Sequence, residues 1–144
     1  MKNGAYIRLI LGKASQAIER VDRKSITRTD LNVSDFSILE ALLHKGPMPI
    51  NTVGEKVLLT SGSMTAAANR LEAKGLVERI RDPLDGRSFY LHLTKPGLEL
   101  IRSAYRRHSQ NLENIFTCLD EKERDELVRL LKKVGYHALQ VEAE

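Results

Sequence analysis

The sequence predicts a mainly α-helical protein with one small β-hairpin, an α+β fold in a single chain of 144 residues. Three observations predict it. Apolar residues recur at three- and four-residue spacing over most of the chain, one stretch switches to alternation, and glycine and proline gather where the pattern changes. With 42% hydrophobic and 29% charged residues the chain can bury the core of one globular domain.

From Tyr6 to about Ile26, the residues Ile7, Ile10, Leu11, Ala14, Ala17, Ile18 and Val21 keep helical spacing, with Arg8, Lys13, Glu19 and Arg20 mostly between them. This predicts a long amphipathic first helix. Asn32-Val33-Ser34-Asp35 supplies capping residues ahead of Phe36, Ile38, Leu39, Leu42 and Leu43, and Gly46-Pro47 stops the second helix. A short third helix is expected from about Ile50 to Val57. The fourth begins with Thr60 or Ser61 as N-cap and ends where Gly75 takes a left-handed conformation. At about 100° per residue, Met64, Ala67, Ala68 and Leu71 fall on one side, while Gly62, Ala66, Asn69 and Ala73 face away, flanked by Thr65 and Arg70. One face packs and the other presents small or polar side chains.

The period then changes. Leu76 to Arg81 and Ser88 to Leu93 read as strands, the second alternating at Phe89, Leu91 and Leu93, and the turn residues Asp82-Pro83-Leu84-Asp85-Gly86 join them. Thr94-Lys95-Pro96-Gly97 starts a long helix carrying Leu98, Ile101, Tyr105, Leu112, Ile115 and Phe116. Leu119-Asp120-Glu121-Lys122-Glu123 opens a last one carrying Leu127, Leu130, Leu131, Val134 and Leu139.

The order helix, helix, short helix, capped helix, hairpin is that of a winged helix-turn-helix, whose second helix enters the DNA major groove while the hairpin wing reaches the adjacent minor groove. Small residues let a backbone approach the phosphates, and Ser, Thr, Asn and Arg supply donors for phosphate oxygens and base edges. The free N–H groups and positive dipole end near Ser61 to Ser63 add a phosphate site. Net charge supports this only weakly. Of the excess of +4, all lies in residues 1–32, with seven Lys/Arg against three Asp/Glu; residues 33–94 balance at seven each and 95–144 at nine each.

In Ser61-Gly62-Ser63, Arg70-Leu71-Glu72, Lys74-Gly75-Leu76-Val77, Asp85-x-Arg87 and Leu93-Thr94-x-x-Gly97, the sequence resembles the MarR family of bacterial transcription regulators. The resemblance implies a homodimer with interlocking terminal helices and a palindromic double-stranded DNA operator. It divides the chain into an N-terminal dimerisation helix (1–32), a winged helix-turn-helix DNA-binding domain (33–95) and C-terminal dimerisation helices (96–144). By position, Ser61, Ser63, Thr65, Asn69 and Arg70 match recognition-helix contacts, and Arg87 matches the wing arginine of the minor groove, held by Asp85. Many relatives have a second arginine where this chain has Gly86, so the wing is expected to grip less or bend more. The stretch "HKGPMPINTVGEKVLLTSGSMT" looks closest to the branch that responds to quinones and similar aromatic compounds.

A repressor released by a small aromatic or phenolic effector is therefore expected. The effector pocket is placed where Tyr6 and Ile10 of the first helix, Phe36, Leu39 and Leu43 of the second, and Ile101 and Tyr105 of the fifth should meet. Alternatives are a redox-responsive regulator on the same fold and a winged-helix protein-interaction module without DNA binding. Cys118, between Phe116 and Leu119, reads as a buried structural thiol. Lys74 and Arg79 read as solvated charges. His44, His92, His108 and His137 lack a short metal-ligand spacing, and there is neither a nucleophile motif nor a phosphate loop, so no enzyme, metal or cofactor is expected. The start Met1-Lys2-Asn3-Gly4 lacks the marks of a signal peptide, and no apolar run reaches the roughly 18 to 20 residues of a membrane span, so a cytoplasmic protein is expected.

Overall fold

The computed structural model describes residues 2–143, so Met1 and Glu144 lie outside the described residues. It comprises two compact units, Met1–Asn111 and Leu112–Glu144, and the division falls within the fifth helix.

In the first unit, α1 (Gly4–Thr27) starts where the Asn3 side chain accepts the Tyr6 N–H at 2.9 Å. Helix α2 (Val33–Lys45) starts in the same way, Asn32 accepting the Asp35 N–H at 2.8 Å, and stops at Gly46. Beyond Gly46-Pro47 the chain forms β1 (Met48–Pro49), a strand not foreseen from the sequence. Two residues are too few to show alternation, and a proline reads as a breaker. Here Pro49 sits at the edge of the sheet, where its lack of an N–H costs least. Helices α3 (Ile50–Lys56) and α4 (Ser61–Ala73) follow, then β2 (Val77–Arg81) and β3 (Phe89–Leu93). The antiparallel sheet has the order β1-β3-β2, with Leu91 opposite both Met48 and Arg79. The expected hairpin is thus two strands of three.

The core lies between α2, α4 and the sheet. Ile38, Leu39, Val53, Ala67, Ala68, Leu71, Leu91 and Ile101 are wholly buried, and Phe36, Met64 and Val77 nearly so. Each large aliphatic side chain taken from water contributes about 1.5–3 kcal/mol before its ordering entropy is subtracted. Ala67 and Ala68 keep α4 close to its neighbours, which is why one side of that helix is pinned and the other left open.

Helix α5 (Lys95–Phe116) is set by Thr94 and Gly97. The Thr94 hydroxyl donates to the Gly75 carbonyl at 2.6 Å and accepts the Gly97 N–H at 3.1 Å, while the Thr94 N–H donates to the Leu76 carbonyl at 3.1 Å. A Cβ on Gly97 would lie 1.9 Å from that Leu76 oxygen. Only glycine permits this approach, which gives the Thr94-x-x-Gly97 motif a structural reason. Gly75, at φ 71°, ends α4 as expected.

In the second unit, α6 (Glu121–Glu142) opens with a capping box in which Asp120 accepts the Glu123 N–H at 2.9 Å and Glu123 accepts the Asp120 N–H at 3.0 Å. None of its residues is buried, and Leu127, Leu130, Leu131, Val134 and Leu139 are exposed. Cys118 corrects its sequence reading. It lies in the turn after α5, and its thiol is exposed rather than buried. The turn carries the side chain off the apolar face that its neighbours suggested.

Candidate nucleic-acid interface

The exposed side of α4 carries Ser61, Gly62, Ser63, Thr65, Ala66, Asn69, Arg70 and Ala73. At its N-terminus, the Thr60 hydroxyl oxygen accepts the Ser63 N–H at 3.2 Å and the hydroxyl donates to Ser63 Oγ at 3.0 Å. The Ser63 N–H is therefore spent on the cap, whereas the Ser61 and Gly62 N–H groups have no partner among the described residues. Ser63 keeps its own hydroxyl proton for an outside acceptor. Thr65 does not, because it donates to the Ser61 carbonyl at 2.9 Å. A Cβ added at Gly62 would meet nothing within 4 Å, so the space it leaves opens outward.

Arg70 is anchored rather than free. Its Nη2 and Nε donate to the two oxygens of Asp35 at 2.9 and 3.3 Å, and the pair joins α4 to α2. The Asp35 side chain is 2% exposed against 46% for Arg70, so the acid is the member that needs the pairing. The hydrogen bond to Asp35 raises the Arg70 pKa still further above its ordinary range. Asp35 appeared in the sequence only as a capping residue. Its place three residues before Ile38 and seven before Leu42, on the buried stripe, was the available signal.

Asn69 and Arg79 form a second tie. Arg79 Nη2 donates to Asn69 Oδ1 at 2.7 Å and its Nη1 to Glu72 Oε1 at 3.3 Å, with the Arg79 side chain only 23% exposed. Arg79 is thus not a merely solvated charge. Alternation foretells this: Val77 faces the core, so Arg79 lies on the same face of β2 and meets α4.

The wing tip behaves differently. Asp85 Oδ1 accepts the Arg87 N–H at 3.1 Å, Asp85 Oδ2 accepts the Ser88 hydroxyl at 3.3 Å, and the Asp85 carbonyl accepts the Ser88 N–H at 3.0 Å. Asp85 therefore holds Arg87 by its main chain and not by its guanidinium, which corrects the expected contact. The short Asp side chain reaches the amide two residues on and closes an Asx-type turn more readily than a long side chain folds back. The Arg87 guanidinium has no ion-pair or hydrogen-bond partner among the described residues, and Leu84 beside it is 95% exposed.

The seven residues expected to line an effector pocket do not come together evenly. Phe36, Leu39 and Ile101 are close-packed core, Leu43 and Tyr105 are half-buried, and Tyr6 and Ile10 are exposed on α1. Tyr105 meets the edge of His44 at 4.6 Å between ring centroids. His108 is buried against Phe36 at 4.9 Å, its Nε2 3.8 Å from Asp22 Oδ1.

Comparison with known proteins bears on the fold and the family. Residues 29–88 match the MarR family. The HTH-type transcriptional regulator MhqR of Bacillus subtilis is 33% identical over 132 residues, 92% of this chain and 91% of that protein. Among solved structures, the transcriptional regulator PA4135 superposes with a TM-score of 0.80 at 26% identity, over 90% of this chain and 95% of that one. BpsR of Bordetella bronchiseptica, whose DNA binding is regulated by 6-hydroxynicotinic acid, gives 0.78 at 25% identity, over 90% and 98%. A family model over the winged segment and a transcriptional regulator one-third identical along nearly the whole chain make this a transcriptional regulator and not an enzyme: the chain belongs to the MarR family.

Proposed function

We propose that the protein is a homodimeric repressor that binds a palindromic operator, with α4 in the major groove and the wing in the minor groove, and that a small aromatic or phenolic compound releases it. The unpartnered Arg87 guanidinium beside a rigidly tied wing backbone carries the DNA reading. A planar cation without a protein partner is suited to a narrow, electronegative groove. On α4, Ser61, Ser63 and Asn69 contribute outward donors, Thr65 a hydroxyl acceptor, and Arg70 a half-exposed guanidinium edge. Dimerisation is supported by the apolar residues left exposed on α1 (Ile7, Leu9, Ile10, Leu11) and on α6.

The effector reading is supported by the similarity to BpsR and its hydroxylated aromatic acid. In this reading the half-buried Leu43 and Tyr105, beside the core residues Phe36, Leu39 and Ile101, mark the site, while Tyr6 and Ile10 stay exposed on α1 outside that cluster. A ligand displaces the operator only to the extent that it prefers the DNA-incompetent spacing of the two α4 helices; about 1.4 kcal/mol of preference lowers affinity roughly tenfold. The exposed Cys118 favours one second reading, release by thiol oxidation.

The experiment is selection of bound fragments from genomic DNA, followed by titration of the operator complex with phenols and quinones in wild type and Cys118→Ser. Half-sites about 10 base pairs apart and affinity that falls steeply with salt are expected. Release that persists in Cys118→Ser supports the noncovalent pocket. Release that vanishes with the thiol replaces it with the redox reading, and a monomer that selects no DNA ends both.

A further inference from the structure

Asn69 is one of the few outward polar side chains on α4, and its amide is not free to turn. A guanidinium has five N–H donors and no acceptor, so the Asn69 atom 2.7 Å from Arg79 Nη2 must be the carbonyl oxygen. The Asn69 Nδ2 group, with two hydrogens, is therefore directed elsewhere, and no acceptor within the chain takes it among the described residues. Glu72, three residues along α4, holds the other arm of the fork at 3.3 Å, so Arg79 cannot swing away without losing both bonds.

We propose that Arg79 is a positioning residue for base recognition, fixing the Asn69 amide with its donor outward, so that Asn69 selects a base edge rich in acceptors. In the major groove that edge is the N7 and O6 of guanine or the O4 of thymine. An unrestrained asparagine pairs in two-pronged fashion with adenine, using its carbonyl as well as its NH2; here Arg79 takes one of the carbonyl's two lone pairs and holds that oxygen toward β2, so the NH2 is the group left to meet a base. Because the orientation exists before DNA arrives, little side-chain ordering remains to oppose binding. The inference rests on the reading of α4 as the major-groove element.

The test uses the full chain and a randomised DNA pool, from which the base preference at every operator position is measured for wild type, Asn69→Ala, Arg79→Met and Arg79→Lys. Asn69→Ala is expected to relax one base pair in each half-site. Arg79→Met should move that same pair toward adenine by about fivefold or more and leave the others unchanged. Arg79→Lys keeps the charge but not the fork, and should behave alike; it also carries the test if Arg79→Met does not fold. A uniform loss of affinity in Arg79→Met, with the salt slope reduced by about 1 and both restored in Arg79→Lys, would make Arg79 a phosphate contact and overturn the proposal. Unchanged preferences in folded Arg79 variants, or in Asn69→Ala, would overturn it equally. Wild-type protein that shows no sequence preference would instead break the DNA-binding reading itself, and this inference with it.

Discussion

Helix α4 and the wing tip present polar groups to the same outside, but in opposite states of preparation. On α4, Arg70 is forked onto Asp35, Asn69 is held by Arg79, and Thr60 caps the first turn. At the wing tip, Asp85 fixes only the main chain, and the Arg87 guanidinium is left unpaired. Under the proposed DNA-binding function, the difference divides the tasks of one surface. Ordered donors suit discrimination between base edges, because misplaced acceptors then leave buried polar groups unsatisfied. An unpaired cation on a hydrogen-bonded turn suits a groove whose width varies with sequence, because the side chain is not tied elsewhere.

The comparison breaks most severely at Arg70. Arg70→Met strands the Asp35 carboxylate, 2% exposed, without its partner, and stability is expected to fall by about 3–5 kcal/mol in a denaturant titration. Asp35→Asn should cost clearly less, since the half-exposed Arg70 can turn to water. Equal losses in the two variants would show that the tie is not governed by burial of the acid. Next in size is the root of the wing. Gly97→Ala drives a methyl group into the Leu76 carbonyl, and a loss of about 3 kcal/mol is expected in the same assay.

Arg87→Ala should leave the melting temperature almost unchanged and reduce operator affinity by about 1–3 kcal/mol in a gel-shift titration. Asp85→Ala should reproduce a smaller part of that loss, because it loosens the turn and not the guanidinium. A loss from Asp85→Ala larger than from Arg87→Ala would move the importance of the wing from its side chain to its backbone shape.

The smallest effect lies away from both surfaces, at Asp22. Burial raises its pKa above the ordinary 3.8; His108 opposes the shift and Glu19 adds to it. Folded Asp22 thus holds its proton more tightly than the unfolded chain. Stability is lost as pH rises from 3.8 through the raised folded value, and the penalty is constant above it. Asp22→Asn is expected to be more stable than wild type at neutral pH, with a gain that shrinks on acidification toward 3.8. Thermal melts across that range check the sign.

Apart from β1, the elements and their order were legible in the sequence because they are written in local chemistry. The caps at Asn32 and Thr60, the left-handed Gly75 and the alternation around Leu91 each act within a few residues of themselves. The buried side of α4, at Met64, Ala67, Ala68 and Leu71, followed from helical spacing alone. Even the Thr94-x-x-Gly97 motif could be noticed, though not explained.

What only the tertiary structure decided was the partner of each polar side chain. Asp35 and Arg70 are 35 residues apart, and no periodicity relates them. Arg79 reaches Asn69 only because β2 lies against α4, and β1 joins the sheet only because β3 offers it an edge. Cys118 faces outward because a turn intervenes. Backbone conformation follows from sterics and capping over short distances, whereas the choice among hydrogen-bond partners is made by whatever packing brings within about 3 Å, and burial then makes that choice expensive to undo.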